Sequence, residues 1–100
     1  MKSNVKAKFI KRCDNVPYKE VEGELLLLDL KSGNYFGLNP TGKFIWEMLN
    51  GTKTRTDIVK ALKKRFKLRE DSAKKHAESF LKELKKYNLI EFFSSKSEHY

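Results

Sequence analysis

The sequence predicts an α+β domain in which three short antiparallel strands precede three helices. Three observations carry this expectation. The chain has 100 residues, enough for one hydrophobic core and too few for two. Its first half holds short apolar runs punctuated by Gly, Pro and Asn. Its second half holds apolar residues at helical spacing, each group bounded by start and stop signals.

The strands come first. Residues 17–21 read as a strand that opens on Pro17, where a missing N–H does least harm. Glu22-Gly23 is a turn signal. Residues 24–30, Glu-Leu-Leu-Leu-Leu-Asp-Leu, favour a helix on leucine content alone, but their length and flanking glycines predict a strand. Leu26, Leu28 and Leu30 then share one face, and Leu25 and Leu27 the other. A small sheet normally wets one face. Two apolar faces therefore call for a cover, supplied by the N-terminal segment, by the flank of the first strand or by a partner. Lys31-Ser32-Gly33-Asn34 is a hairpin loop, and Tyr35–Leu38 returns as the third strand.

The helices follow. Asn39 caps and Pro40 suits the first helical position. Phe44, Ile45, Met48 and Leu49 form one face with Trp46 on its shoulder, and Asn50-Gly51 ends the helix. A lone Trp in this place reads as core. Thr54 and Asp57 have capping-box spacing and open a second helix with Ile58, Val59, Leu62 and Phe66 inward. After a connector at 67–69, residues 70–88 form the longest helix. Ala73, Ala77, Phe80, Leu84 and Tyr87 point inward, and Leu81 sits at the edge of the stripe. Residues 89–93 read as a short terminal strand. Residues 1–15 form an arm with a short strand at Phe9–Arg12, residues 16–93 the domain, and residues 94–100 a frayed tail. Three strands and three helices in this order match a winged-helix-like domain.

Composition narrows the function. Lys and Arg number 22 against 13 Asp and Glu, a net charge of +9, which suggests an anionic partner. The excess is uneven. Residues 1–12 carry +5 and residues 53–69 carry +7, whereas residues 13–52 carry −3 and residues 70–100 are balanced. The two basic segments read as solvated faces, with an anion-binding patch as the specific alternative. One cysteine, Cys13, excludes an internal disulfide, and it and two His residues make a poor metal set. The longest apolar run, 25–28, is far too short to span a bilayer. No nucleophile–base spacing, carboxylate pair or phosphate loop is present. The expected protein is cytoplasmic, with no catalytic residue, no metal, no cofactor and no membrane partner; Cys13 and His76 read as structural or solvated side chains.

Several pieces in order form a pattern. They are Gly23-Glu24-Leu25-Leu26-Leu27-Leu28-Asp29-Leu30, Gly33-Asn34-Tyr35-Phe36-Gly37-Leu38-Asn39, Thr41-Gly42, Ile45-Trp46-Glu47-Met48-Leu49-Asn50-Gly51, Thr54-x-x-Asp57-Ile58-Val59 and Phe80-Leu81-x-x-Leu84-x-x-x-Asn88-Leu89-Ile90. Together they resemble the PqqD family, small leader-peptide-binding domains also called RiPP recognition elements. The Leu-Leu-Asp, Tyr-Phe-Gly-Leu-Asn and Ile-Trp details look most like stand-alone members, including those of lasso-peptide systems. The resemblance implies a chaperone-like protein. It would hold the leader of a ribosomally made precursor peptide and present it to a modifying enzyme or leader peptidase, with a cyclase or a radical SAM enzyme as further candidate partners. The leader adds as a strand beside the third strand, in a groove against the third helix. Tyr35, Phe36 and Leu38 are then expected as one wall, and Lys74, Glu78, Leu81 and Lys85, on one flank of the third helix, as the other. Two positions depart from the pattern: Arg69 stands where an acidic or Ser cap is common, and His76 where an acid is common. The competing reading is a winged-helix DNA-binding protein. The third helix argues against it, with five Lys against four acids, one terminal amide and no Arg.

Overall fold

The computed structural model describes residues 8–14 and 16–94. Most of the expected arm and nearly all of the expected tail lie outside the described residues. The chain folds as β1 (Phe9–Arg12), β2 (Tyr18–Val21), β3 (Glu24–Leu28), β4 (Tyr35–Leu38), α1 (Pro40–Met48), β5 (Asn50–Lys53), α2 (Arg55–Phe66), α3 (Glu70–Lys86) and β6 (Ile90–Phe93). The three expected strands form one antiparallel sheet, ordered β2-β3-β4, and the three expected helices follow. A second antiparallel sheet, ordered β5-β1-β6, joins the N-terminal strand to the α1–α2 connection and to the C-terminal strand.

Local chemistry explains the boundaries. Glu22 and Gly23 both have positive φ (52° and 86°), the two-residue turn whose twist suits a hairpin, so Val21 pairs with Glu24. β3 stops two residues earlier than expected because Asp29 folds the loop onto itself. Its carboxylate accepts from the Lys31 N–H (3.2 Å) and the Ser32 hydroxyl (2.8 Å). The Asn39 carboxamide oxygen accepts from the Gly42 N–H at 2.7 Å and caps α1. At α2, the Thr54 hydroxyl accepts from the Asp57 N–H while the Asp57 carboxylate accepts from the Thr54 N–H, a complete capping box. α3 has no such device, because Arg69 at its N-cap makes no side-chain bond.

The core lies where the two sheets meet the helices. Leu25, Leu27 and Leu38 enter it from β3 and β4, Ile45, Trp46 and Leu49 from α1 and its end, Ile58 and Leu62 from α2, and Ala73, Ala77, Leu81 and Leu84 from α3. Ile10 and Ile90 close it from the second sheet. Trp46 is buried, as expected of a core residue, and its ring carries the Arg12 guanidinium 5.7 Å above it. Phe44 and Phe66 meet edge to face at 5.5 Å and join α1 to α2. The other face of β3 stays partly open, with Leu26 and Leu28 only half-buried and Val21 and Tyr35 exposed beside them.

Candidate functional site

Among the described residues β4 is an edge strand, paired with β3 on one side only. The register shows which of its backbone groups are spare. The Asp29 N–H donates to the Asn34 carbonyl at 2.8 Å, and hydrogen-bonded pairs alternate along an antiparallel ladder. Phe36 opposite Leu27 and Leu38 opposite Leu25 therefore point their backbone groups at β3. The Leu28 N–H agrees with this phase, since it donates the other way, to the Pro17 carbonyl at 2.9 Å. Tyr35 and Gly37 are left with N–H and C=O groups turned outward from the sheet. Such a row is a template for an added strand.

Beside that edge lies a cleft of about 150 Å³, walled by Phe36, Gly37 and Leu38 from β4, by Phe80 and Glu83 from α3 and by Tyr87 at the C-cap of α3. The Phe36 and Tyr87 rings meet at 4.4 Å across it, tilted by 53°. A second cleft of about 230 Å³ shares Asn39, Phe80 and Glu83, and runs on along α3 to Ser79 and His76. Gly42 forms part of its wall. A Cβ there would stand 3.2 Å from the Phe80 ring, so the missing side chain lets α1 approach α3. Together the clefts give one trough alongside the open edge of β4. Its walls combine the aromatic and apolar side chains of Phe36, Leu38, Phe80 and Tyr87 with the polar ones of Asn39, Thr41, His76, Ser79 and Glu83.

The expected site residues divide. Phe36 and Leu38 line the trough, although Leu38 is only 7% exposed and Phe36 is half-buried against the core. Tyr35 is 49% exposed but its ring lies on the other face, with the Lys19 ammonium 4.8 Å from its centroid; it offers the trough its backbone. The four helix residues are not opposite β4. Leu81 is wholly buried, which corrects the expectation that it sits at the stripe's edge. Lys74 is exposed and sits 3.9 Å from Glu70. Glu78, Leu81 and Lys85 line a different cleft, on the β6 side of α3. With 3.6 residues per turn, this flank and the Phe80–Glu83–Tyr87 flank lie on opposite sides of the buried Ala73–Ala77–Leu84 stripe. Sequence reasoning placed Phe80 and Tyr87 in the core and missed Glu83. The signal for the trough-facing flank was the pair of aromatics seven residues apart on one side of the stripe.

Among the described residues Cys13 has Glu91 as its neighbouring titratable partner. Burial pushes the Cys13 thiol above its ordinary range, and hydrogen bonding to Glu91 adds to the effect, so the nucleophilic thiolate is disfavoured. Among the described residues no three His, Cys, Asp or Glu side chains cluster as a metal site, and no helix is long and apolar enough to cross a membrane.

Comparison with known proteins gives a consistent set. The family model for coenzyme PQQ synthesis protein D (PqqD) matches residues 24–90. A solved structure of TbiB1 in complex with the TbiA(beta) leader peptide is 31% identical, with a TM-score of 0.69, over 81% of this chain and 94% of that one. A solved lasso peptide synthetase B1 complexed with the leader peptide superposes with a TM-score of 0.70, over 82% of this chain and 96% of that one. At 20% identity the latter bears on the fold alone. No curated protein matches the chain significantly.

Proposed function

The chain belongs to the PqqD family, and on that premise we propose that it binds the leader segment of a ribosomally synthesised precursor peptide and presents the peptide to a maturation enzyme. The observation that carries this reading is the open edge of β4 beside an aromatic trough. An extended leader strand pairs with the outward N–H and C=O groups of Tyr35 and Gly37. These main-chain bonds supply affinity with little sequence choice. Alternate leader side chains enter the trough between Phe36, Leu38, Phe80 and Tyr87, and their fit supplies the choice. The likeness to TbiB1, whose solved complex holds a leader peptide, supports the same role.

The chain acts in this reading as a binding partner with no catalytic step of its own. The chemistry belongs to the enzyme that receives the peptide, whether leader peptidase, cyclase or radical SAM enzyme. Cytoplasmic location is part of the same reading, because precursor peptides are made there. The binding domain in this reading is residues 16–93 completed by β1, which pairs with both β5 and β6 and buries Ile10.

The test is a binding titration. A labelled synthetic leader, taken from a precursor gene beside this one, should bind with micromolar or tighter affinity. Phe36→Asp, and a proline placed in the pairing stretch of the peptide, should each weaken it at least about tenfold. Absence of binding to any neighbouring leader, together with tight salt-sensitive binding to duplex DNA, would overturn the reading.

A further inference from the structure

A cleft of about 680 Å³ lies on the flank of α3 that faces β6, across the helix from the trough. Its rim is cationic. Arg55 comes from the first turn of α2, and Lys82, Lys85 and Lys86 from the last turns of α3; Glu78 is the single acid. All four cations are exposed, and none of them makes an ion pair among the described residues. Within the rim is an apolar surface. The half-buried Phe92 ring lies 5.1 Å from the Arg55 guanidinium and 5.7 Å from the Lys85 ammonium, and the wholly buried Leu81 backs it.

We propose that this cleft is the docking site for an acidic segment of the maturation partner, one that carries an aromatic or aliphatic side chain among its carboxylates. The inference rests on the function proposed above and adds to it a second binding surface. The charge decides the occupant. Four cations around one acid repel one another, and a carboxylate seated between Arg55 and Lys85 relieves that repulsion on both sides of the Phe92 ring. An apolar side chain covering the ring turns a diffuse attraction into a specific contact. The other basic cluster, on α2, lacks that combination: Lys63 is tied to Glu70 at 2.6 Å, and the Arg65 guanidinium covers its own neighbour, Phe66, at 5.1 Å. The leader is not the occupant, because the body of α3 stands between this cleft and the edge of β4. The two ligands therefore bind together, and α3 becomes the wall they share.

The experiment uses the full chain, nitrogen-15 labelled, and the peptide acetyl-Glu-Phe-Glu-Glu-Leu-Glu-amide as probe. Amide shifts should centre on Arg55, Lys82, Lys85 and Phe92, and should fade as salt is raised. The same peptide with Gln in place of every Glu should produce none. Lys82→Glu with Lys85→Glu should weaken the probe at least about tenfold, while the synthetic leader binds that variant within about twofold of the parent. Shifts centred on Lys60 and Lys64 would overturn the proposal, as would a probe displaced by the leader. Tighter probe binding after deletion of residues 95–100 would make the chain's own tail the occupant, and the same shift map with a duplex oligonucleotide would make it nucleic acid; either result also overturns it. Failure of the leader to bind the parent chain refutes the function proposed above, wherever the probe maps.

Discussion

At the scale of single residues, the helix ends are the places where one side chain changes most. α1 and α2 are capped by Asn39 and by the Thr54–Asp57 box, whereas α3 starts at Arg69 with its first N–H groups unserved by any side chain at that position. Glu70 and Asp71 favour the helix dipole but do not replace the cap. Arg69→Ser should therefore stabilise the protein by about 1 kcal/mol, and Asn39→Ala should destabilise it by about the same amount. Urea unfolding midpoints compare the two directly. This weakness was legible in the sequence, because a cap is a local bond between neighbours. The place of Leu81 was not. Periodicity locates a buried stripe, but how far the burial spreads to either side depends on the elements packed there, and those contacts are distant in sequence.

At the scale of elements, β4 carries the binding edge, and its phase makes a sharp distinction. Gly37 turns its N–H outward, so Gly37→Pro removes a donor from the open edge and none from the β3–β4 ladder. The variant should keep the parent's circular dichroism spectrum and most of its thermal stability, yet bind the leader at least about tenfold more weakly. A proline that unfolds the domain would show that the phase is the reverse. The sheet β2-β3-β4 was readable because each of its strands is bounded by turn residues and pairs with its neighbour in sequence. β5 was not, since Asn50-Gly51-Thr52-Lys53 has the composition of a helix stop and becomes a strand only by pairing with β1. The same reason divides the site. Phe36 and Leu38 lie beside the trough as their strand placed them, while Glu78, Leu81 and Lys85 line the cleft on the other flank of α3. An amphipathic helix announces its buried side, but not which neighbour lies to the left or right of it.

At the scale of the whole molecule, acid is the clearest global perturbation. The Asp57 carboxyl titrates below its ordinary range chiefly because it accepts from the Thr54 N–H, and the Glu70 carboxyl does so chiefly because Lys63 donates to it. Each group binds its proton less readily when folded, so its contribution is present above the ordinary carboxylate value and is lost as pH falls through the lowered folded value. Stability should hold level through neutral pH and decline only in acid, by a small amount because both groups are exposed. Asp57→Asn with Glu70→Gln should flatten that decline in urea titrations made across the acid range. The topology sets a different limit, in time. β2, β3 and β4 pair with near neighbours, so the leader-binding edge can form while the rest of the chain is still emerging from the ribosome. β1 sits in the middle of the other sheet, and its register joins Phe9 to Phe93 across almost the whole described chain. Long-range closure of this kind is slow. The binding edge should thus form early, and closure of the sheet around β1 should set the folding rate, so that weakening Ile10 slows maturation of the protein before it alters what the finished edge can hold.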